Sequence, residues 1–496
     1  MYLSLRLMDG WLGRTAVFML LAVPAIAQQI SFKPAVNYPV PVPVQMVAAD
    51  FNHDGKVDVV VITLAPSQNT LNNFAFFAGN GDGTLQPPVT FSIPGAGADT
   101  VAAADFNGDG NLDLVFAQGT STPFGFGNQV SVFLGDGKGG FTLSTHFTTG
   151  GTDTVVAIGD FNLDGKPDLA IASWDAWEIF LYLGVGDGTF VGAGTLSAFG
   201  DLAVADLNND GNPDIVATVH GGSAILVFPG DGTGNFGPPV SLPVGTNPSW
   251  VAIGDFNGDG KPDIACTIDS SASVTVLLNQ GGFSFASAGN FQVGNQPDGK
   301  LVVADFNHDG NLDVATFNFS GSVTVLTGDG SGHLGNRFDI PISLWANGGA
   351  APDLNGDGLP DLVVPDQIKN AVSVLINNTA RLYNVCLLYD PTKAVKSGAT
   401  IPIKLQLCDS SGNDESSSSV TVHAISITGV SASISGTVED SGNANPDNNF
   451  RFDATLGTTG GYIFNLKTTG LSTGKYNVNF TVTGDSSAYA AAFQVK

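Results

Sequence analysis

The chain has 496 residues, which gives room for two or more domains and a large hydrophobic core. Its net charge is −27, and it has no basic stripe that could neutralise phosphates, which argues against a nucleic-acid-binding protein. Glycine accounts for 64 residues, whereas charged residues make up only 13%. This composition suits many short strands joined by tight turns, and no sustained helical spacing of apolar residues follows the N-terminus.

The N-terminus has the pattern of an export signal. Arg6 and Arg14 precede an apolar run at 16–27, which ends in the small-x-small motif of residues 25–27. The run is too short for a comfortable membrane span, although an uncleaved anchor is the alternative. We therefore predict a signal peptide over 1–27, no later membrane span, and a mature protein that is secreted or held at the cell surface.

A nine-residue acidic stretch occurs seven times after the predicted signal, and successive copies start 46 to 55 residues apart. The copies, numbered here as loops one to seven, are DFNHDGKVD (50–58), DFNGDGNLD (105–113), DFNLDGKPD (160–168), DLNNDGNPD (206–214), DFNGDGKPD (255–263), DFNHDGNLD (305–313) and DLNGDGLPD (353–361). Most repeats carry four strand signals: one before the loop, one after it, an alternating strand such as 129–135, and a fourth such as 141–147. Four strands in about 50 residues are typical of a β-propeller blade.

The two ends of the repeat region predict a closed ring. The seventh repeat reaches its third strand at 371–377 and has no fourth strand signal. Residues 29–40, directly after the predicted signal peptide, look like an orphan fourth strand. We infer that this strand completes the seventh blade, because closure removes the free edges that an open sheet would expose.

The repeated D-F-N-x-D-G-x-x-D stretch, with Gly-Asp-Gly turns behind it, resembles the FG-GAP/VCBS repeat family. The best-known member of that family is the seven-bladed propeller of integrin α subunits. The resemblance covers roughly 28–380. It implies that each acidic loop joins the first two strands of a blade and binds calcium.

The residue types of the loops support a hard cation. Positions one, three, five and nine offer only oxygen ligands, and flexible carboxylate ligation favours Ca²⁺ over octahedral Mg²⁺. Position six is always Gly, which permits the left-handed conformation that wraps a chain around an ion. An Asx-turn array without metal is the alternative, but its three carboxylates per loop would repel one another. The predicted ligands of up to seven Ca²⁺ ions are Asp50, Asn52, Asp54, Asp58, Asp105, Asn107, Asp109, Asp113, Asp160, Asn162, Asp164, Asp168, Asp206, Asn208, Asp210, Asp214, Asp255, Asn257, Asp259, Asp263, Asp305, Asn307, Asp309, Asp313, Asp353, Asn355, Asp357 and Asp361.

No catalytic residues are predicted, because the sequence has no H-x-x-x-H pair, no G-x-S-x-G elbow and no pair of acidic residues that stands out from the loops. Cys266 takes a strand position and is interpreted as a buried core thiol. A bridge between Cys386 and Cys408 stays open, since spacing in sequence does not establish the Cα distance that a disulfide requires.

The acidic repeat ends at about residue 380, and seven new strand signals follow over 384–496. Seven strands in about 110 residues resemble an immunoglobulin-like sandwich, in which Tyr476 would be either a tyrosine corner or a plain core residue. The predicted fold class is therefore all-β, a seven-bladed β-propeller followed by an immunoglobulin-like β-sandwich.

The predicted function is a calcium-binding adhesion or interaction module for an extracellular protein or glycan. The alternatives are a lectin, or an extracellular enzyme that acts on polysaccharide or phospholipid. All four tryptophans of the mature chain fall in connections predicted on the face opposite the acidic loops, and aromatic side chains commonly anchor partners. The predicted ligand-binding residues are Trp174, Trp177, Trp250 and Trp345. Packing between blades is the alternative for the last two.

Overall fold

The computed structural model describes residues 30–64, 72–95, 97–119, 128–343, 348–379, 384–391, 393–408, 416, 422–429, 435–436, 450–456, 460–468, 471–482 and 485–496. The predicted signal peptide and Trp345 lie outside these residues. Within the described ranges the chain forms 36 strands and one 3-10 helix at Asp269–Ser271. None of the helical structure found there is long and apolar enough to cross a membrane.

After strand β1 (Val36–Pro39), six four-stranded antiparallel sheets follow one another, and each uses four strands that are consecutive in sequence. Blade one has β2 (Pro43–Ala49), β3 (Asp58–Thr63), β4 (Asn72–Phe77) and β5 (Val89–Ile93); blade two has β6 (Thr100–Ala104), β7 (Asp113–Gln118), β8 (Gln129–Gly135) and β9 (Phe141–Thr148). Blade three has β10 (Asp153–Gly159), β11 (Asp168–Ser173), β12 (Glu178–Gly184) and β13 (Phe190–Leu196); blade four has β14 (Leu202–Ala205), β15 (Asp214–Thr218), β16 (Ala224–Phe228) and β17 (Val240–Pro243). Blade five has β18 (Pro248–Gly254), β19 (Asp263–Ile268), β20 (Ser273–Gly281) and β21 (Ser284–Gln292); blade six has β22 (Leu301–Ala304), β23 (Asp313–Asn318), β24 (Ser322–Gly328) and β25 (Leu334–Pro341).

Burial along each blade explains its sequence pattern. The second strand is buried at every residue, as in β11, and is therefore mainly apolar after its first Asp. The fourth strand, such as β9, is mostly exposed and carries polar residues. The acidic loop joins the first and second strands of each blade, as the repeat pattern predicted.

The seventh blade draws on both ends of the repeat region. Strands β26 (Leu362–Asp366) and β27 (Ala371–Leu375) pair, and β1 adds to the outer edge of β27 in antiparallel register. An isolated bridge between Ala350 and Val363 stands where the other blades have their first strand. The N-terminal segment thus supplies the outer strand of the last blade, over a shorter range than the predicted 29–40.

The hydrophobic core of the propeller lies between blades. Seven clusters of buried side chains each combine two consecutive blades, and one of them joins blade seven to blade one through residues such as Val363 and Val61. The residue at loop position two is buried in every loop and belongs to the cluster between its own blade and the next. These residues are Phe51, Phe106, Phe161, Leu207, Phe256, Phe306 and Leu354. The residue at position two is therefore a structural anchor, and it anchors two blades rather than one.

The C-terminal region contains β28 (Asn384–Leu387), β29 (Ala394–Val395), β30 (Thr400–Cys408), β31 (Val422–Gly429), β32 (Ser435–Gly436), β33 (Arg451–Asp453), β34 (Gly461–Lys467), β35 (Gly474–Val482) and β36 (Asp485–Val495). They form two sheets, in the orders β28-β30-β34-β33 and β29-β36-β35-β31-β32, which share one hydrophobic core. The buried Tyr476 donates its hydroxyl to the carbonyl oxygen of Ser472 at 2.9 Å, which favours the tyrosine-corner interpretation. The immunoglobulin-like assignment itself stays a prediction.

The cysteines divide into a bridge and a core thiol. Cys386 and Cys408 form a disulfide with a Cα–Cα distance of 6.1 Å, which resolves the pairing that the sequence left open. Cys266 is a free, fully buried thiol on β19, as predicted. Burial raises the pKa of this thiol, so it stays protonated and unreactive.

Candidate functional site

All seven acidic loops share one set of hydrogen bonds. The N–H of the fifth residue donates to Oδ1 of the first Asp and to Oδ1 of the Asn at position three, over 2.8–3.2 Å. The N–H of the sixth residue donates to Oδ2 of the first Asp at 2.8–2.9 Å. Side-chain oxygens of positions one and three therefore converge on one point in every loop.

Each loop contains two residues in the left-handed region. The Gly at position six has φ between 79° and 88°, as its recurrence predicted. Position four also has positive φ, between 56° and 73°, at His53, Gly108, Leu163, Asn209, Gly258, His308 and Gly356. The missed signal is that six of these seven residues are Gly, Asn or His, which tolerate this region best.

The ninth Asp ties the loop to the third strand of its blade. Its side chain is completely buried in all seven loops. One carboxylate oxygen accepts the N–H of loop position two at 2.8–3.1 Å. The other accepts an N–H at the end of the third strand at 2.7–2.9 Å. Burial raises the pKa of these carboxyls, to about 6 at Asp113 and Asp361 and to about 8 at Asp313, and the neighbouring carboxylates add to the rise.

The residue types of the loops fit Ca²⁺, because the four predicted ligand positions of each loop offer three carboxylates and one amide oxygen and no nitrogen or sulfur ligand. Within the described part of the chain, however, no three Asp, Glu, His or Cys side chains are grouped closely enough to hold a metal ion. The carboxylates bind the loop's own N–H groups, and Lys56, Lys166 and Lys261 pair with the fifth residue of loops one, three and five at 2.8–3.8 Å. The fit therefore rests on donor chemistry, loop backbone and the convergence of positions one and three.

The loops also connect neighbouring blades. In six of them, the carbonyl oxygen of position two accepts a hydrogen bond of 2.7–3.1 Å from the following blade. The pairs are Gly188 N–H to Phe106, Gly234 N–H to Phe161, Asn279 Nδ2–H to Leu207, Gly332 N–H to Phe256, Asn377 Nδ2–H to Phe306 and Gly83 N–H to Leu354. The last pair crosses from blade seven to blade one, so the loops help to close the ring.

The opposite face carries an exposed aromatic pair. Trp174 and Trp177 lie in the turn between β11 and β12, at the edge of blade three away from its acidic loop. Their side chains are 45% and 55% exposed, and their ring centroids are 6.3 Å apart. Phe199 of blade four contacts both rings, and His220 contacts Trp174. The structure thus brings two of the predicted tryptophans together in an aromatic patch, defined as Trp174, Trp177, Phe199 and His220.

Trp250 has a mixed position. It packs against the core cluster between blades five and six, as the alternative interpretation predicted, and its indole N–H donates to the carbonyl oxygen of Asp298 at 2.6 Å. It also lines a cavity of about 330 Å³ at the centre of the ring, together with Asp201 and both Phe199 and His220 of the aromatic patch. The remaining lining residues are Val155, Gly200, Thr218, Asn247, Ser249, Asp269, Asp298 and Phe319. Sequence reasoning missed this cavity, because its walls come from four blades.

The family profile described as FG-GAP-like repeat matches residues 50–116, 124–171, 160–217, 206–266, 255–316 and 305–364, which include all seven acidic loops. The chain belongs to the FG-GAP-like repeat family. No curated protein sequence matches it significantly.

Solved structures are similar to this FG-GAP-like repeat protein at low sequence identity. The BBS1N chain from a crystal of BBS1N in complex with ARL6DN has a TM-score of 0.50 and 9% identity, covering 71% of this chain and 98% of its own. A putative 6-phosphogluconolactonase from Bacteroides fragilis has a TM-score of 0.50 and 15% identity, covering 66% and 94%. The V. cholerae biofilm matrix protein Bap1 has a TM-score of 0.41 and 13% identity, covering 71% and 91%. At these identities, the first two comparisons show the fold alone.

Proposed function

We propose that this FG-GAP-like repeat protein is an exported, calcium-binding interaction protein that binds an extracellular protein or glycan on the face opposite its acidic loops. The observation that carries the proposal is the exposed pair of Trp174 and Trp177. Tryptophan is enriched among the side chains that dominate binding energy at interfaces. Two half-exposed indoles side by side therefore favour a binding surface over a structural role.

The turn that presents the pair is well ordered by its own hydrogen bonds. Asp175 accepts the N–H of Thr152 at 2.6 Å and the hydroxyl of Ser173 at 3.1 Å, and Trp174 donates its N–H to the carbonyl oxygen of Thr152 at 2.8 Å. Trp177 has a φ of 56°, which is unfavourable for a bulky residue. Such backbone outliers cluster at functional sites, and a surface that is ordered beforehand loses less entropy when it binds.

Calcium would be held in each loop by the Asp at positions one, five and nine and the Asn at position three. When bound, it would supply the positive charge that three neighbouring carboxylates require. Six of the seven loops accept a hydrogen bond from the following blade, so a bound ion would stabilise the ring as well as its own loop. In this proposal the acidic face serves the scaffold and leaves partner recognition to the other face.

Export is supported by the bridge between Cys386 and Cys408, because disulfides form and persist in oxidising compartments. The signal pattern at 1–27 agrees with that environment. These two features support the proposed secreted or surface location.

The test is binding to arrays of glycans and of extracellular matrix proteins with wild type and a Trp174→Ala, Trp177→Ala double variant. We expect wild type to bind at least one array member and the double variant to lose about tenfold or more in affinity. Ile368→Ala is the matched control, since Ile368 is 60% exposed in the corresponding turn of blade seven. Full binding by a folded double variant, or no binding by wild type, would contradict the proposal.

A further inference from the structure

One position of the repeat differs in chemistry from blade to blade. It lies five residues before the first Asp of each loop, and we call these seven residues the collar: Gln45, Thr100, Val155, Asp201, Trp250, Lys300 and Gly348. Two residues further along, the same seven repeats offer only small apolar residues: Val47, Ala102, Ala157, Ala203, Ala252, Val302 and Ala350. The repeat is therefore uniform two residues after each collar residue and chemically diverse at the collar residue itself.

The collar surrounds the centre of the ring. Five of its members line the 330 Å³ cavity or a second cavity of about 260 Å³, and the two cavities share Val155, Trp250, Asp298 and Phe319. The side of Gly348 where a Cβ would lie faces Lys300 at 3.4 Å and Gln45 at 3.8 Å. Small pockets for ligands begin at about 300 Å³, so the larger cavity suits one chemical group rather than a long chain.

The cavity walls are acidic. Asp201, Asp269 and Asp298 line the larger cavity and Asp99 lines the smaller one. Burial raises the pKa of Asp298, with Asp269 adding to the rise and His220 opposing it, which means that these three groups interact. Lys300 is the cation that acts on Asp201. With Asp201 assigned to Lys300, the carboxylates of Asp269 and Asp298 still give the larger cavity a negative lining, which attracts cations into a narrow cleft.

The same cavity has an aromatic wall. Trp250, Phe199 and Phe319 line it, and the rim continues into the exposed Trp174 and Trp177 through their contacts with Phe199. Cations bind favourably over the faces of aromatic rings, most strongly over tryptophan. Carboxylates together with aromatic rings therefore favour a positively charged group. A neutral sugar would leave the carboxylates without a counter-charge, and the carboxylates would repel an anion.

We propose that the central cavity binds a cationic nitrogen group, a primary ammonium or a guanidinium, between the carboxylates of Asp269 and Asp298 and the ring of Trp250. This inference rests on the proposed function of the same face, whose aromatic patch would contact the rest of the partner. The cation has two chemical sources, a free amine or a Lys or Arg side chain of a peptide, and the experiment separates them.

The experiment is isothermal titration of the full mature chain with four probes. Two are free amines, agmatine and cadaverine, and two are capped peptides, Gly-Gly-Arg-Gly-Gly and the same peptide with citrulline in place of arginine. We expect at least one free amine or the arginine peptide to bind, and the citrulline peptide to bind at least tenfold more weakly than the arginine peptide whenever the latter binds. Binding should weaken as salt rises.

Variants of the cavity complete the test. Asp298→Asn should reduce the affinity for the bound cation about tenfold, and Asp269→Asn provides a second variant if the first does not fold. The matched control is Asp136→Asn, which removes the same charge from the exposed turn between β8 and β9. Binding of agmatine or cadaverine without the arginine peptide identifies a free amine as the source, and binding of the peptide identifies a basic side chain.

The inference is overturned if no cationic probe binds, if citrulline and arginine peptides bind equally, or if folded Asp298→Asn and Asp269→Asn bind as wild type does. These outcomes leave the proposed function intact when the array partner still depends on Trp174 and Trp177. If no array member binds through Trp174 and Trp177 but the cationic probes still bind, the proposed function is contradicted and the cation site in the cavity is supported.

Discussion

The two faces of the ring use the same repeat in opposite ways. On the acidic face, seven loops carry the same four polar positions and the same hydrogen bonds to their own backbone. At the centre of the other face, the seven equivalent collar residues run from Asp201 and Lys300 to Trp250 and Gly348. The repeated loop residues build the scaffold. The collar residues, which differ from blade to blade, are where selectivity for a partner can arise.

Chelation should have the largest effect on stability, because it acts on all seven acidic loops and on none of the collar residues. A ligand present at 100 times its Kd stabilises the folded state by about 2.7 kcal/mol per site, and seven sites would add up. We expect EDTA to lower the unfolding temperature by roughly 10 °C or more, because several of these free-energy contributions would be lost together. Calorimetry with Ca²⁺ added back, and with Mg²⁺ as the control, measures this directly.

The comparison between the two ions decides the nature of the site. Restoration by Ca²⁺ but not by Mg²⁺ would support flexible oxygen ligation. An unchanged melting curve after exhaustive chelation would instead support the Asx-turn interpretation of the loops, in which backbone N–H groups satisfy the carboxylates.

Within one loop, two aspartates should differ in what they do without metal. Replacing Asp263 with Ala leaves the buried N–H groups of Phe256 and Asn279 without their acceptor, which costs about 2–4 kcal/mol. Replacing Asp259 removes a solvent-exposed ion pair with Lys261 and an exposed hydrogen bond from the N–H of Lys261, so its loss should cost much less. Urea denaturation in EDTA should show this difference, and equal losses for Asp263→Ala and Asp259→Ala would contradict the role of the ninth Asp in tying the loop to its blade.

Local patterns predicted the position of the acidic loops and much of their backbone, whereas calcium binding by these loops stays a prediction. The nine-residue stretch, its Gly at position six and its buried apolar position two all express chemistry within one loop, which a sequence displays directly. The buried role of Asp58 and its equivalents was also visible in principle, since each stands at the start of a continuous apolar strand. Its two hydrogen bonds to backbone were not, because one donor lies about 20 residues away on the third strand.

The central cavity could not be predicted in the same way. Val155, Asp201 and Trp250 are about 50 residues apart, and they meet only because the ring closes. Trp250 can be selected from the sequence because it is aromatic, whereas no motif in the sequence distinguishes its cavity neighbours Asp269 and Asp298 from other acidic residues. Periodicity predicts which residues are equivalent, and only the closed ring shows that equivalent residues face one cavity.

The pH dependence of the unfolding free energy tests the environment of the collar residue Asp201. Burial raises the pKa of Asp201 to about 7, although the N–H of Val251 and the ammonium of Lys300 oppose the rise. Between pH 4 and pH 7 the folded state therefore holds a proton that the unfolded state has released, so this residue makes stability fall as pH rises. Asp201→Asn can still accept the hydrogen bond from the N–H of Val251, and it removes this pH dependence.

The measurement is the difference in unfolding free energy between Asp201→Asn and wild type at pH 4 and at pH 8. Taking the difference cancels the titration of the acidic loops, which both proteins share. We expect the variant to gain stability relative to wild type at pH 8 compared with pH 4. A constant difference would mean that Asp201 does not titrate in this range.

The smallest expected effect concerns the loop backbone and the one residue that departs from its rule. Position four has positive φ in every loop, and Leu163, at 56°, is the bulky hydrophobic residue among Gly, Asn and His. A left-handed conformation is unfavourable by about 1–2 kcal/mol for such a residue, whereas Gly adopts it freely. Leu163→Gly should therefore stabilise the protein by about 0.5–1 kcal/mol in urea denaturation with Ca²⁺ present, because the strain that is relieved exceeds the entropy that Gly loses.

Leu163→Ala is the control, since it loses the same contact with blade four near Gly232 but keeps the unfavourable φ, and it should bring no gain. If both variants stabilise equally, removal of an exposed leucine would explain the effect, and the seven loops would not share the strict backbone rule that sets this face apart from the collar.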